Sequence, residues 1–494
     1  MKLKYLKSVD LDNIKITKKI KRVLLINPRK QGNEFMQPHN GLAVLAGILK
    51  KRGHKVLIVD YAFSKDAEEV DFFIKNFKPD IIGISIYSSS LKEAMKLIKN
   101  IRTSNLEIPL IIGGPHVTNY SNSLEKQKEI DYMFIGEAEL TIIPVVENAK
   151  RQTSPKIIAC KEILNLYHVP LPDYKSFYQW QKMTTYAIMT SRGCPNKCSF
   201  CANIGLAHRM WRPRKPEECI KELELAKKEI SPYLKFAVFD DCPTVHKDRF
   251  KNFLRLYIEK IGNELVVVNT RADCIDEELI RLLKKCNIRV LTMGVEHGNP
   301  EIFKNVNKGE TFEQMELACK LIKKHGMRLG LSFIIGLPGD TLKKTRDSIN
   351  LYKKLKADQI SLNLLVPFRN TPVREWIDHH KIRIYDEFEF GEETNKGISC
   401  QKVMFETPEF TKFEREKAFY MFLLEVAEPS LKLRYMPQIL SITRKYKLYS
   451  EFFRWLPKGI IVSINNSYHR FRYGLFVYHK IGLRNVLRRL LREF

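Results

Sequence analysis

The sequence predicts an α/β protein: a doubly wound parallel sheet first, a partial (β/α)6 barrel second, and a mainly helical C-terminal region last. Three observations carry this. Apolar runs rich in Val and Ile alternate with amphipathic stretches from about residue 21 to 370. The runs are continuous rather than alternating, which marks strands buried on both faces of a parallel sheet. A stretch with Pro155, Pro170 and Pro172 interrupts the alternation and separates two series. The 494 residues suffice for two or three domains and a sizeable core.

The elements follow in order. Residues 1–20 form a polar leader with no apolar h-region. RVLLIN (22–27) is the first strand, and GLAVLAGILKKRG (41–53) has helical spacing and stops at a glycine. KVLIVDY is a second strand, DFFIKNF a helix and DIIGISIYSSS a third strand. LKEAMKLIKNIRT is a helix, IPLIIGGP a fourth strand and DYMFIGEAE a fifth, closing a first domain over 21–150. In such sheets ligands bind beyond the carboxyl ends of the strands. Those ends carry Ser85, Ser88, Gly113, Gly114, Pro115, Gly136 and Glu137. Small residues there admit a large ligand close to the backbone, or serve only as tight turns.

Residues 151–183 read as a linker. From 184 to 370 six further strands are expected: TYAIMTS (185–191), KFAVFDD (235–241), LVVVNTRAD (265–273), IRVLTMGVEH (288–297), RLGLSFIIGLPG (328–339) and QISLNLLVPF (359–368). Helical stretches separate them, so chemistry is expected at the C-terminal strand ends of a partial barrel. Residues 371–494 turn basic and mainly helical.

The net charge of +28 suits a polyanion, an anionic membrane surface or a solvated lysine-rich surface. From Leu431 to Phe494 there are 14 Lys/Arg against 2 Asp/Glu, mixed with aromatics. NVLRRLLREF has the pattern of a short basic amphipathic helix, so a peripheral membrane contact stays open beside a plain helical cap. Nucleic acid is ranked below both. No run approaches the length needed to span a bilayer.

Of ten cysteines, three crowd into SRGCPNKCSFCA: Cys194, Cys198 and Cys201, on the loop after the first barrel strand. The rest are scattered through apolar segments, which speaks for a reduced cytoplasmic interior rather than a disulfide framework. Three thiolates can wrap one soft metal centre. Zinc wants a fourth ligand, and His208 is the nearest imidazole. An iron–sulfur cube held by three cysteines instead leaves one iron open.

Cys-x3-Cys-x2-Cys on this loop, with Phe200 before the third cysteine, resembles the radical S-adenosylmethionine (SAM) superfamily. FDDCPT (239–244), NTRAD (269–273), GVEHG (294–298) and FIIGLPGDT (333–341) resemble its motifs on later strands, in order. The resemblance implies a [4Fe–4S] cluster on Cys194, Cys198 and Cys201. Its open iron binds SAM and reductively cleaves it to a 5′-deoxyadenosyl radical. SAM contacts are then expected from Phe200, Asp240, Asp241, Arg271, Glu296, Gly336 and Gly339. Arg192 stands beside the cluster, and Cys242 follows Asp241 at a strand end.

The N-terminal PHNGLAVLAGILKKRGHKV, PDIIGIS, IIGGPH and IDYMFIGEAE resemble the flavodoxin-like domain of the cobalamin-binding subclass. That implies cobalamin at Ser85, Ser88, Gly113, Gly114, Pro115, Gly136 and Glu137. No Asp-x-His-x-x-Gly is present, so no histidine is expected on the lower cobalt face. The implied reaction is methyl transfer to a carbon of a small-molecule or lipid substrate, with a flavodoxin or ferredoxin as reductant. Cyclisation or rearrangement without methyl transfer stays open. A tRNA methylthiotransferase would carry three more cysteines in its N-terminal domain, and Met1 to Ala159 contain none. A non-catalytic cobalamin protein would not need the cysteine trio.

Overall fold

The computed structural model describes residues 6–7, 19–28, 38–385, 392–395, 398–426 and 436–456, apart from positions 65, 105–106, 161–162, 208, 268–269 and 289. The basic tail beyond residue 456 and His208 lie outside the described residues.

The first unit is a parallel sheet of β1 (Arg22–Asn27), β2 (Lys55–Asp60), β3 (Ile81–Ser85), β4 (Leu110–Gly113), β5 (Tyr132–Ile135) and β6 (Lys156–Ala159), in the order β2-β1-β3-β4-β5-β6. Five strands match the expected ones. The sixth comes from the segment read as a linker. KIIA is short, follows Pro155 and is half-exposed at the sheet edge, so it lacks the long apolar signature of its neighbours. Helices α1 (Asn40–Lys51), α2 (Val70–Phe77), α3 (Leu91–Ser104), α4 (Pro115–Tyr120) and α5 (Ile142–Asn148) complete the unit. The chain reverses direction across the sheet between β1 and β3, the switch point where ligands bind in such folds.

The rest of 151–183 is not a loose tether. Asp173 N donates to Ala43 O of α1, and Tyr178 N to Ile58 O of β2. Gly47 lets Leu171 lie directly on α1, since a Cβ there would stand 2.3 Å from the Leu171 carbonyl oxygen. Tyr174 then joins the next unit, donating to Ala187 O at 2.8 Å.

That unit holds six parallel strands in two ladders. One is β7 (Thr185–Ile188), β8 (Lys235–Val238) and β9 (Leu265–Val267); the other is β10 (Val290–Glu296), β11 (Arg328–Ile335) and β12 (Gln359–Leu364). A bridge from Thr270 to Met293 joins them into one open barrel wall. The outer layer is α6 (Asn203–Ala207), α7 (Pro216–Glu229), α8 (Lys247–Lys260), α9 (Glu277–Lys285), α10 (Pro300–Asn305), α11 (Phe312–Lys324) and α12 (Leu342–Leu355). All six expected strands are present, each ending earlier than expected at its C-terminal side.

The C-terminal region gives α13 (Pro372–His379), α14 (Lys412–Val426) and α15 (Met436–Tyr446), with a small antiparallel pair, Glu392–Asn395 and Ile398–Gln401. Helix α14 packs Phe422 against Phe333 of β11, ring centroids 5.1 Å apart. One apolar core runs from β1 through Tyr174, Phe177 and Met183 to the barrel and on to Trp455. No helix among the described residues is long and apolar enough to cross a membrane.

Candidate active site

Two cavities adjoin at the strand ends. The barrel cavity, about 460 Å³, is lined by Cys194, Cys198, Cys201, Phe200, Asp241 and Cys242 on one side, and by Arg271, Gly294, Glu296 and Lys308 on the other. The three cysteines, Phe200, Asp241, Arg271 and Glu296 therefore line one space. The thiols do not crowd to a point: among the described residues no three His, Cys, Asp or Glu side chains converge on a single metal ion. Cys194 accepts from Asn196 Nδ2 at 3.1 Å, and hydrogen bonding from Cys242 helps hold its thiol down at about 6. Burial pushes Cys198 up to about 12 and raises Cys201.

Consecutive strand-end residues point opposite ways, and this separates Asp240 from Asp241. Asp241 faces the cavity and accepts from Gly193 N at 2.8 Å, which fixes the start of the cysteine loop. Asp240 is turned away. It is buried and accepts from Thr190 N, Thr190 Oγ1 and Ser191 Oγ, each at 2.6 Å. Its oxygens are engaged in bracing the end of β7, and it is not in the barrel cavity lining.

Arg271 lines the cavity, gripped by both oxygens of Asp273 at 2.9 Å. It does not pair with Glu296. That carboxylate instead meets Lys308, Nζ to Oε1 3.3 Å, in the loop after α10. Lys308 also pairs with Glu310 at 3.1 Å and donates to the Gly294 carbonyl oxygen. Burial pushes Glu296 up and the Lys308 charge pulls it back. Glu296 sits at a register shift between β10 and β11 with φ +69°, a left-handed conformation that costs a side-chain-bearing residue about 1–3 kcal/mol. Gly294 makes room for it: a Cβ there would lie 2.1 Å from Glu296 Oε1.

Gly336 and Gly339 lie outside this cavity lining. Both have positive φ, +91° and +82°, and form the turn from β11 to α12. Asp340 ties that turn down, accepting from Gly336 N and Thr341 N and pairing with His297 at 3.1 Å. Arg415 from α14 covers Gly336, donating to its carbonyl at 3.1 Å. These glycines form a turn made where L side chains strain.

The second cavity, about 240 Å³, lies between the first sheet and helices α1 and α5. Val23, Leu25, Ile81, Ile111 and Phe134 make its floor, and Leu42, Leu45 and Ile142 its roof. Its mouth carries Ser85, Gly113, Gly114, Pro115, Gly136 and Glu137, all expected. Absent side chains create it. A Cβ on Gly83 would come within 2.8 Å of Leu25 Cδ2. At Gly114, φ +101°, a Cβ would meet Ile86 N at 2.9 Å. Ser88 is not in the lining; its hydroxyl bonds His116 Nδ1 at 2.9 Å.

His39, missed in the sequence, stands at the mouth between β1 and β3. Its Nδ1 accepts from Leu42 N and its Nε2 lies 3.0 Å from Ser85 Oγ. With Nδ1 accepting, the hydrogen sits on Nε2, so that nitrogen has no lone pair for a metal. Burial lowers the His39 pKa, which keeps the ring neutral.

Arg192 links the cavities. It lines the second and stands two residues before Cys194, which lines the first. It pairs with Glu137 at 3.1 Å and Glu139 at 2.6 Å, and Arg212 grips Glu137 with both end nitrogens at 2.6 and 2.8 Å. Burial pushes Glu137 up, but the Arg212 and Arg192 hydrogen bonds and charges win and hold it at about 2.

Residues 188–352 match the family model of the radical SAM superfamily, and residues 34–145 match that of the B12 binding domain. The chain is a B12-binding radical SAM protein. Each match holds most of the lining of one of the cavities just described. An uncharacterised methyltransferase of Pyrococcus horikoshii is 28% identical over 385 residues, 72% of this chain and 83% of that protein. The anaerobic magnesium-protoporphyrin IX monomethyl ester cyclase of Rubrivivax gelatinosus is 25% identical over 445 residues, 81% of this chain and 79% of the cyclase. Among solved structures, the radical SAM methyltransferase TsrM of Kitasatospora setae, with cobalamin and a [4Fe–4S] cluster bound, superposes with a TM-score of 0.59 at 19% identity, covering 73% and 75% of the two chains. At that identity the likeness shows the fold of this B12-binding radical SAM protein.

Proposed function

We propose that this chain cleaves SAM reductively at a [4Fe–4S] cluster held by Cys194, Cys198 and Cys201, and methylates a carbon centre of a small-molecule or lipid substrate with cobalamin in the N-terminal cavity. The single observation that carries this is the adjacency of the cavities: Arg192 lines one and is two residues from the first cysteine lining the other. A methyl carrier and a radical generator must meet over one substrate. When bound, the cluster supplies the electron that breaks the SAM C5′–S bond and cobalamin supplies a transferable methyl group.

The chain's residues do the holding. Asp241 and Glu296 present carboxylates to the SAM ammonium or ribose hydroxyls, as charge-assisted hydrogen bonds. Phe200 packs with Ile302, Ile334 and Leu365 and offers an apolar wall to the adenine. Gly83, Gly113 and Gly114 open an apolar slot that fits a flat organic tail better than water.

Relatives that include a cyclase keep ring closure as a second reading, with the same cofactors and no methyl transferred. The reductant is a low-potential one-electron carrier, the setting cytoplasmic, and the basic C-terminal sequence is a candidate for surface contact with an anionic membrane.

The test is anaerobic reconstitution with iron, sulfide and hydroxocobalamin, followed by UV–visible and EPR spectra. Wild type should hold a cluster and base-off cobalamin. The Cys194→Ala/Cys198→Ala/Cys201→Ala variant should lose the cluster and keep the cobalamin. Zinc at the cysteines would overturn the reading, and a cluster without cobalamin would remove the methyl transfer.

A further inference from the structure

The three cysteines of the loop are not equivalent. Cys194 Sγ is served by side chains from two separate elements. Asn196, two residues along the loop, donates its Nδ2 hydrogen to it at 3.1 Å. The buried thiol of Cys242, on the loop after β8, hydrogen-bonds the same sulfur. Among the described residues no side chain donates to Cys198 or Cys201; Cys201 has only the backbone N–H of Asn203. Asn196, Cys242 and the three loop cysteines all line the barrel cavity.

Chemistry sets the direction of these bonds. A cysteine that ligates a metal is a thiolate, which accepts and cannot donate. Asn196 therefore presents its amide nitrogen, and Cys242 keeps its proton and shares it with Cys194. The Cys242 sulfur is then left to accept. Thr244 Oγ1 lies 3.8 Å from it and 3.3 Å from Thr270 Oγ1. The result is a row of donors from Thr270 through Thr244 and Cys242 that ends on Cys194. All three of those donors are buried, where each bond polarises the next and water screens little.

We propose that Asn196 and Cys242 are positioning residues that set the reduction potential of the metal centre, by donating two hydrogen bonds to one of its three thiolate ligands. The inference rests on the cluster reading above. Hydrogen bonds to ligand sulfurs are one lever on a cluster's potential. An added electron makes the sulfur more negative and strengthens a charge-assisted bond to it, so both donors favour the reduced state. The pair thus eases the one-electron reduction on which SAM cleavage depends, and it acts through Cys194 without touching SAM's carbon–sulfur bond.

The experiment is EPR-monitored potentiometry of the reconstituted full-length protein without SAM, with iron counted per chain. Asn196→Leu keeps the shape and removes one donor; Cys242→Ala removes the other. In both, iron should stay at the wild-type level and the midpoint potential should become more negative. In the double variant, the ratio of reduced to oxidised cluster at a fixed ambient potential should fall about tenfold, a shift of about 59 mV for one electron. Cys242→Ser restores a donor and should recover most of the Cys242 share. Unchanged potentials with iron intact would overturn the tuning role while the cluster stands. An equal shift in Cys242→Ser and Cys242→Ala would assign the change to packing and overturn the part given to Cys242. Iron lost in Cys242→Ala would make that thiol a ligand, which also overturns it. A wild type without a reducible cluster would overturn the tuning together with the function on which it rests.

Discussion

The two cavities are built on opposite principles. The barrel cavity is made by side chains that are present: four thiols, two carboxylates, an arginine and a lysine around one space. The N-terminal cavity is made by side chains that are missing, at Gly83 inside a strand and at Gly113, Gly114 and Gly136 at strand ends. The first offers charged and coordinating groups, the second shape and an apolar lining. Single substitutions should therefore fail differently in each.

The largest effect is expected at Cys198→Ala. Iron content and reductive SAM cleavage should be lost outright while cobalamin retention stays at the wild-type level, measured as iron and cobalt per chain. Cobalamin lost in parallel would show that the cavities are one site.

Lys308→Met should come next. It leaves Glu296 and Glu310 buried without their shared cation, and removing one partner of a buried pair costs about 3–5 kcal/mol. The urea midpoint should drop, and SAM binding, followed by the change it makes in the reduced cluster's EPR spectrum, should weaken. Lys308→Arg should recover part of both. Gly83→Leu is smaller. It fills the apolar slot, so cobalamin affinity should fall about tenfold, about 1.4 kcal/mol, with cluster content unchanged.

The smallest effect lies between the cavities. Glu137 is held at about 2, below the ordinary carboxylate value near 4.3. A carboxylate with a depressed folded pKa adds stability that is fully present above its unfolded pKa and fades as pH falls toward the folded one. The gap in urea midpoint between wild type and Glu137→Gln should thus be constant above about pH 4.5. It should narrow below that. A gap independent of pH down to 3 would remove Glu137's charge from the account.

The same contrast explains what the sequence disclosed. Strands buried on both faces are legible as apolar runs, and the cysteine trio is legible because three soft ligands in eight residues have few other uses. Asp240 and Asp241 needed one more step: the period of two would have turned one away from the site. Lys308 was hidden because a lysine in a loop of a lysine-rich chain carries no pattern. Gly83 did leave a signal, since a lone glycine inside a strand marks a close approach of other atoms. His39 left none; its role comes from Ser85, which the fold brings across 46 positions of sequence.

Arg192 and Arg212 bear on how such a protein can be rebuilt. Both guanidiniums are sunk at the seam between the units, and their carboxylate partners, Glu137 and Glu139, belong to the N-terminal one. A barrel transplanted beneath a foreign cobalamin domain would inherit two orphaned cations unless the donor supplied acids at matching places. The halves of this molecule are thus separate modules by topology but a matched set by charge, and a working chimera must cut outside Glu137 to Arg212 or carry both sides of the seam together.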